Sequence, residues 1–208
     1  MLHVSLTGAT TPVRRANAYQ ALTVALARPA DWQPDFPTAL SEAFSDHMGV
    51  LVALGKDLSI RAEAALADLE PVSVAHARLF FGPFEIQAAP WASFYLDPGQ
   101  RLTGVASQYA ARAYAEAGLG PSEDRPRGIP DHVTHELEFM YFLAFQEATT
   151  ADHVWLERQR RFWNEHLGRW LPQFADAVER ADTHPFYLAL AVLLRAFCAS
   201  EDGHFTPE

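Results

Sequence analysis

The feature that most constrains the fold is the spacing of apolar residues, which follows the helical period along almost the whole chain. Apolar side chains recur at intervals of three and four residues, as in the face formed by Leu102, Val105, Ala106, Tyr109, Ala113 and Ala117. Sustained apolar–polar alternation with β-branched residues, which indicates strands, is missing from the sequence. The pattern therefore predicts an all-α protein.

Proline and glycine divide this pattern into segments, as where Gly120 and Pro121 end one helix. We predict helices over residues 12–28, 35–47, 50–69, 71–81, 102–117, 130–148, 151–170, 172–181 and 185–200. The stretch 121–130 is polar, breaks helices and lies between two apolar blocks, so we predict a hinge there. The predicted organisation is an N-terminal lobe over 1–120, the hinge, and a C-terminal lobe over 131–208.

Composition and charge exclude several classes of protein. The 208 residues include 16 Lys and Arg against 26 Asp and Glu, a net charge of −10, which argues against nucleic-acid binding and favours a cationic partner. The single cysteine, Cys198, forms no internal disulfide. The sequence also shows neither an export signal nor an apolar run of about 20 residues, so we expect a cytoplasmic protein without stable membrane insertion.

A search for catalytic and metal-binding patterns finds little. The sequence has neither a glycine-rich phosphate loop nor a G-x-S-x-G nucleophile motif, and it has no Glu-x-x-His pair of the di-iron kind. His132 and His135, three residues apart and followed by Glu136, are a thin metal site. The prediction is no metal, no cofactor and no enzyme, with a metal- or haem-dependent enzyme using His132, His135 and His166 kept as the alternative.

Two segments carry residues suited to binding. The loop 82–99 is rich in proline, glycine and aromatic residues, and Trp91 and Tyr95 are spaced to share one face of a short helix begun by Pro90. Such rings serve a protein interface or pack on their own core, and the sequence favours neither. In Pro130-Asp131-His132, we expect the Asp131 carboxylate to cap the helix that follows and the helix dipole to disfavour a charged His132.

Four motifs in this order resemble the TorD/DmsD/NarJ-like family of redox-enzyme maturation chaperones. They are Leu79-Phe80-Phe81-Gly82-Pro83; Ala89-Pro90-Trp91-Ala92-Ser93-Phe94-Tyr95-Leu96-Asp97; Pro130-Asp131-His132 with Glu136-Leu137-Glu138-Phe139-Met140; and a C-terminal pattern from Phe162 through Phe186-Tyr187. The resemblance runs from about residue 75 to about residue 194. Two departures are Ala89, where a proline is common in the family, and Gly128, where an acidic residue is common.

The resemblance implies an all-helical fold of roughly nine to ten helices in two lobes, and a protein that is not an enzyme. It also implies binding of the twin-arginine signal peptide and apo form of a molybdenum-cofactor oxidoreductase, with help in cofactor insertion and proofreading before export. The implied signal-peptide or client site comprises Phe81, Gly82, Pro90, Trp91, Ser93, Tyr95, Asp97, Pro130, Asp131, His132 and Glu136. A monomer and a domain-swapped dimer both remain open, as does a structural subunit whose aromatic loop packs on a permanent partner.

Overall fold

The computed structural model describes residues 10–82, 86–99, 102–120, 128–181 and 184–206, and within these ranges the chain is all-α. The first five helices are α1 (Thr11–Ala25), α2 (Phe36–Ser45), α3 (Val50–Ala67), α4 (Leu69–Phe80) and the single turn α5 (Ser93–Leu96). The others are α6 (Val105–Glu116), α7 (Val133–Thr150), α8 (His153–Phe162), α9 (Gly168–Ala181) and α10 (Pro185–Phe205). These ten described helices confirm the predicted fold class.

The observed helix boundaries differ from the predicted ones by a few residues at several ends. Helix α1 begins at Thr11, one residue before the predicted start, with Pro12 in its first turn. The predicted break before Pro172 is wrong, because a π-helical turn (Trp163–Leu167) joins α8 directly to α9, which continues through that proline. A π turn inserts an extra residue into the helix and changes which side chains face the core beyond it.

Helices from both ends of the chain pack against one another. Helix α1 packs most extensively on α7, α2 on α3, and α10 on both α9 and α3, around one contiguous apolar core. Helix α7 is largely buried in this core, since its inward residues Val133, Leu137, Met140 and Leu143 are almost fully enclosed. Alanines such as Ala18 and Ala25 on the buried side of α1 let the two helices approach closely.

The division into lobes at 121–130 stays a prediction, and most of that hinge, residues 121–127, lies outside the described residues. The described helices on either side of it share the core, through the α1–α7 and α3–α10 contacts. Across the described part of the chain, no helix combines the length and apolar character needed to cross a membrane.

Candidate functional site

The aromatic loop and the start of α7, distant in sequence, are joined by their main chains. The Ala92 N–H donates to the Asp131 carbonyl at 2.9 Å, and the Val133 N–H donates to the Pro90 carbonyl at 2.8 Å. These bonds frame an isolated antiparallel bridge. The loop is therefore fixed against the first turn of α7.

Asp131 tightens this junction from within the protein. Its side chain is fully enclosed, and Oδ2 accepts from the Ser93 N–H at 2.8 Å. The prediction that Asp131 caps its own helix is wrong, because it caps α5 instead, and α7 is capped by the His132 Nδ1, which accepts from the Thr134 N–H at 3.3 Å. Asp131 and Ser93 are thus positioning residues, with no surface to offer a docked chain.

Glu136 is also fully buried. Its Oε1 lies 2.7 Å from His166 Nε2, and its Oε2 accepts from the Trp170 indole N–H at 2.9 Å. Burial raises the pKa of the Glu136 carboxyl above its usual value, against the opposing effect of His166. The Tyr109 ring stacks on His166 at a centroid distance of 4.9 Å and closes this cluster. Glu136 therefore ties α7 to the π turn and α9, and it does not reach a client directly.

The predicted shared face of Trp91 and Tyr95 is not formed, because the short helix begins at Ser93 rather than at Pro90. Tyr95 stacks on the buried Trp170 at 5.5 Å, whereas Trp91 faces the start of α7. Both carboxylate oxygens of Asp97 accept from the Ala106 N–H, at 3.1 and 3.2 Å, so Asp97 caps the start of α6. This part of the loop supports the fold from inside.

Two further predicted residues, Gly82 and Pro130, form hydrogen bonds next to helix ends. The Gly82 N–H donates to the Ala77 carbonyl at 2.9 Å and closes the last turn of α4. The Pro130 carbonyl accepts from the Tyr114 hydroxyl at 2.8 Å, which ties the chain before α7 to α6. Gly82 and Pro130 make these contacts through their main chains, so the two hydrogen bonds fix the backbone around the site.

The remaining predicted residues, Phe81, Pro90 and His132, line a pocket with a volume of about 360 Å³. Its walls come from the end of α1 and the 3₁₀ turn after it, the end of α4, the aromatic loop and the start of α7. Leu26 and Phe80 give it an apolar floor, and Phe81 stands at its edge with 61% of its surface exposed. This volume lies within the range typical of ligand sites.

Trp91 lies next to this pocket without lining it. Its ring meets the His132 ring edge-to-face at a centroid distance of 5.8 Å and lies 6.0 Å from the Phe94 ring. The half-buried indole therefore backs the pocket-lining imidazole.

Three imidazoles line the same pocket, those of His76, His132 and His135. Burial and the neighbouring His135 lower the pKa of His132 to about 4, and burial lowers the pKa of His76, whose ring lies 5.6 Å from that of Phe81. The largest cause of the lowered pKa of His132 is burial. At neutral pH, His76 and His132 are therefore uncharged.

The described histidines do not assemble into a metal site. His135 Nδ1 lies 3.0 Å from the Ile129 carbonyl and His132 Nδ1 lies 2.8 Å from Thr134 Oγ1, while His166 faces Glu136 outside the pocket. No group of three His, Cys, Asp or Glu side chains among the described residues is arranged to hold a metal. The His132 and His135 rings lie close together, with centroids 5.6 Å apart, but among the described residues His166 is not grouped with them and no third metal ligand joins them.

The structure gives a steric reason for glycine at position 128, where an acidic residue is common in the family. A Cβ atom at this position would lie 2.4 Å from His135 Cε1, so the imidazole occupies the space that a side chain would need. An acidic residue fits there only if His135 moves.

Sequence reasoning missed the pocket residues contributed by α1 and α4, above all Leu26 and His76. His76 precedes Phe80 by four residues and therefore lies on the same face of α4, which is a signal that the sequence did contain. Leu26 carried no such signal, because its place in the pocket depends on how α1 packs.

Comparison with known proteins identifies related sequences. The family model described as nitrate reductase delta subunit matches residues 33–176. The chaperone protein TorD of Shewanella loihica is 29% identical over 86% of this chain and 87% of its own length. A Haemophilus influenzae protein named as a Tat proofreading chaperone, DmsD, is 30% identical over 55% of this chain and 52% of its own.

Across these two and six further curated relatives, the matched segment spans between 52% and 87% of the relative's length. A solved structure of a redox enzyme maturation protein from Archaeoglobus fulgidus superposes with a TM-score of 0.55, covering 96% of this chain and 99% of that one. At 20% identity, this likeness establishes the shared fold.

Proposed function

We propose that this chain, which belongs to the nitrate reductase delta subunit family of redox-enzyme maturation chaperones, binds the twin-arginine signal peptide of a molybdenum-cofactor oxidoreductase. In this proposal it also holds the apo-enzyme in the cytoplasm until the cofactor is inserted, and so proofreads export. Members of the family are chaperones and not enzymes.

The observation that carries the proposal is the pocket between the end of α1, the end of α4 and the start of α7. Its lining is mainly apolar, with Phe81 exposed at the edge and with His76 and His132 uncharged at neutral pH. A signal peptide presents an apolar helix, and a groove of this kind is how such helices are recognised. Aromatic side chains, phenylalanine among them, are also enriched in protein interfaces.

The signal peptide additionally carries positive charge at one end, and the pocket carries a carboxylate, Glu138, on the wall formed by α7. The chain as a whole has a net charge of −10. A negative body increases the rate at which a cationic segment arrives, and a carboxylate beside an apolar surface matches its chemistry. Charge and shape therefore favour the same partner.

The test has two stages. Capture of the tagged protein from its native host is expected to retain an unprocessed oxidoreductase precursor. The synthetic signal peptide of that precursor is then titrated by calorimetry against wild type, Phe81→Ala and Val105→Ala. Val105 is 74% exposed on α6 and does not line the pocket, so it is the matched control for loss of exposed apolar surface.

Phe81→Ala is expected to weaken peptide binding about tenfold, or about 1.4 kcal/mol, while unfolding like wild type, because the ring contributes little to the core. Val105→Ala is expected to bind like wild type. Equal affinity of Phe81→Ala and wild type would show that the peptide binds elsewhere. Failure of the precursor's signal peptide to bind wild type would reject the signal-peptide function itself.

A further inference from the structure

The charged groups of the pocket are few, and most of the charge is already compensated. Arg28 and Asp31 line one side and form an ion pair, with Arg28 Nε 2.9 Å from Asp31 Oδ2 and Nη2 3.3 Å from Oδ1. Both lie on the exposed turn after α1. This pair contributes no net charge to the site.

Glu138 is different. It lies half-buried on α7, in the wall of the pocket, and it forms neither an ion pair nor a hydrogen bond with any residue in the described part of the chain. A carboxylate that loses part of its hydration without gaining a partner is destabilised relative to water. A cation bound in the pocket would compensate for that loss.

The position of Glu138 on α7 sets how far its carboxylate lies from the start of the helix. His132, His135 and Glu138 follow one another at three-residue intervals along the pocket wall, so Glu138 lies about 9 Å along the helix axis from His132. The pocket is therefore apolar and uncharged near Phe81 and the start of α7, and anionic one to two turns further along. An apolar segment with a cationic group beside it matches this order.

We propose that Glu138 is the specificity-determining residue that pairs with the arginines of the bound signal peptide. This inference rests on the proposed function and names the residue that reads the charge of the client. In it, Phe81 and the apolar floor hold the hydrophobic part of the peptide, while Glu138 distinguishes arginine-bearing peptides from uncharged ones. A charge-assisted hydrogen bond to the carboxylate supplies that discrimination.

The experiment is a double-mutant cycle between protein and peptide. The synthetic signal peptide of the captured precursor, and the same peptide with both arginines replaced by glutamine, are titrated against wild type, Glu138→Gln and Glu63→Gln. Glu63 is exposed on α3 and outside the pocket, so Glu63→Gln makes the same change in net charge. Urea unfolding of each variant checks that it is folded.

Wild type and Glu63→Gln are expected to prefer the arginine peptide about tenfold, and Glu138→Gln is expected to bind both peptides with the same affinity. If Glu138→Gln retains the wild-type preference, or if wild type has none, the inference about Glu138 is wrong while signal-peptide binding stands. If neither peptide binds wild type, the inference and the proposed function are both rejected.

Discussion

Replacing Asp131 by alanine separates a positioning role from a contact role at the junction between the loop and α7. Asp131 and Ser93 are both fully enclosed, and one charge-assisted hydrogen bond joins the carboxylate to the Ser93 main chain. The main-chain bond from Ala92 to the Asp131 carbonyl does not depend on the side chain and is retained in the variant. The substitution therefore removes one defined bond.

The magnitude follows from that bond. A buried hydrogen bond to a charged group contributes about 1.5–3 kcal/mol to the free energy of unfolding. That figure already includes the cost of leaving the Ser93 N–H without an acceptor. Deleting the carboxylate also removes its own desolvation penalty, which lowers the net loss. We expect Asp131→Ala to reduce the free energy of unfolding by about 2 kcal/mol, which for a chain of this size corresponds to about 4–8 °C in Tm.

The matched variant is Asp131→Asn, which keeps the size and an acceptor oxygen but loses the charge. It is expected to lose about 1 kcal/mol, because a neutral acceptor makes a weaker bond. Equilibrium urea unfolding measures stability, and hydrogen exchange over 88–97 reports whether the loop loosens. Binding of the precursor's signal peptide should fall in step with that loosening, since Pro90 and His132 line the pocket from the two joined segments.

Two results would refute this reasoning. If Asp131→Ala unfolds at the same urea concentration as wild type, the bond to Ser93 contributes nothing to stability. If Asp131→Asn unfolds nearly like wild type but loses peptide binding as fully as Asp131→Ala, the charge itself is read by the peptide. Asp131 would then be a contact residue.

Two further predictions concern buried charge and pH. Arg15 and Glu201 form a buried bidentate ion pair at 2.8 and 2.6 Å, so Arg15→Met alone is expected to cost about 3–5 kcal/mol in urea unfolding. Arg15→Met with Glu201→Leu should recover part of that loss but not all of it, because Gln159 and the Tyr19 hydroxyl also lose their buried partners. Equal losses in the single and double variants would contradict this. The pKa of His132 in the folded protein is about 4, below its unfolded value of about 6.5. The stability that comes from keeping this imidazole neutral is therefore fully present above pH 6.5, and it is lost as the pH falls through 4. Asparagine keeps the cap, so His132→Asn should lose less stability than wild type between pH 6.5 and 4, and parallel pH profiles would show that His132 does not titrate there.

The fold was predictable to the extent that it is encoded locally. The helical period, together with prolines such as Pro12 and Pro185, located the helices to within a few residues. The π turn escaped prediction because its cause is tertiary. Trp163 and His166, both in this turn, are enclosed and contact partners far away in the sequence, Asp202 on α10 and Glu136 on α7.

The sequence motifs named candidate residues, but the part that each one plays in the structure was not predictable from them. A carboxylate before a helix is by local rules a cap for that helix, and Asp131 instead caps a helix 38 residues earlier in the chain. Glu136 has the spacing of an ordinary polar residue on α7, and its burial depends on Trp170, which lies 34 residues later. Such roles follow from long-range packing, which spacing within one segment does not report.

The structure sorts the residues of α7 by side, and that sorting bears on how client choice is encoded. Glu136 faces inward and holds the π turn and α9, so changing it alters the scaffold whichever client is present. His132, His135 and Glu138 line the pocket, where a change alters what can bind. His132 also caps α7, whereas Glu138 forms no hydrogen bond or ion pair with a described residue, so Glu138 can change without altering the scaffold. Because the pocket side is separate from the buried network, the two can vary independently in physical terms. If the pocket binds signal peptides as proposed, selectivity among them is to be sought in the pocket residues of α7 and in Phe81, and not in the buried acidic residues of the motif.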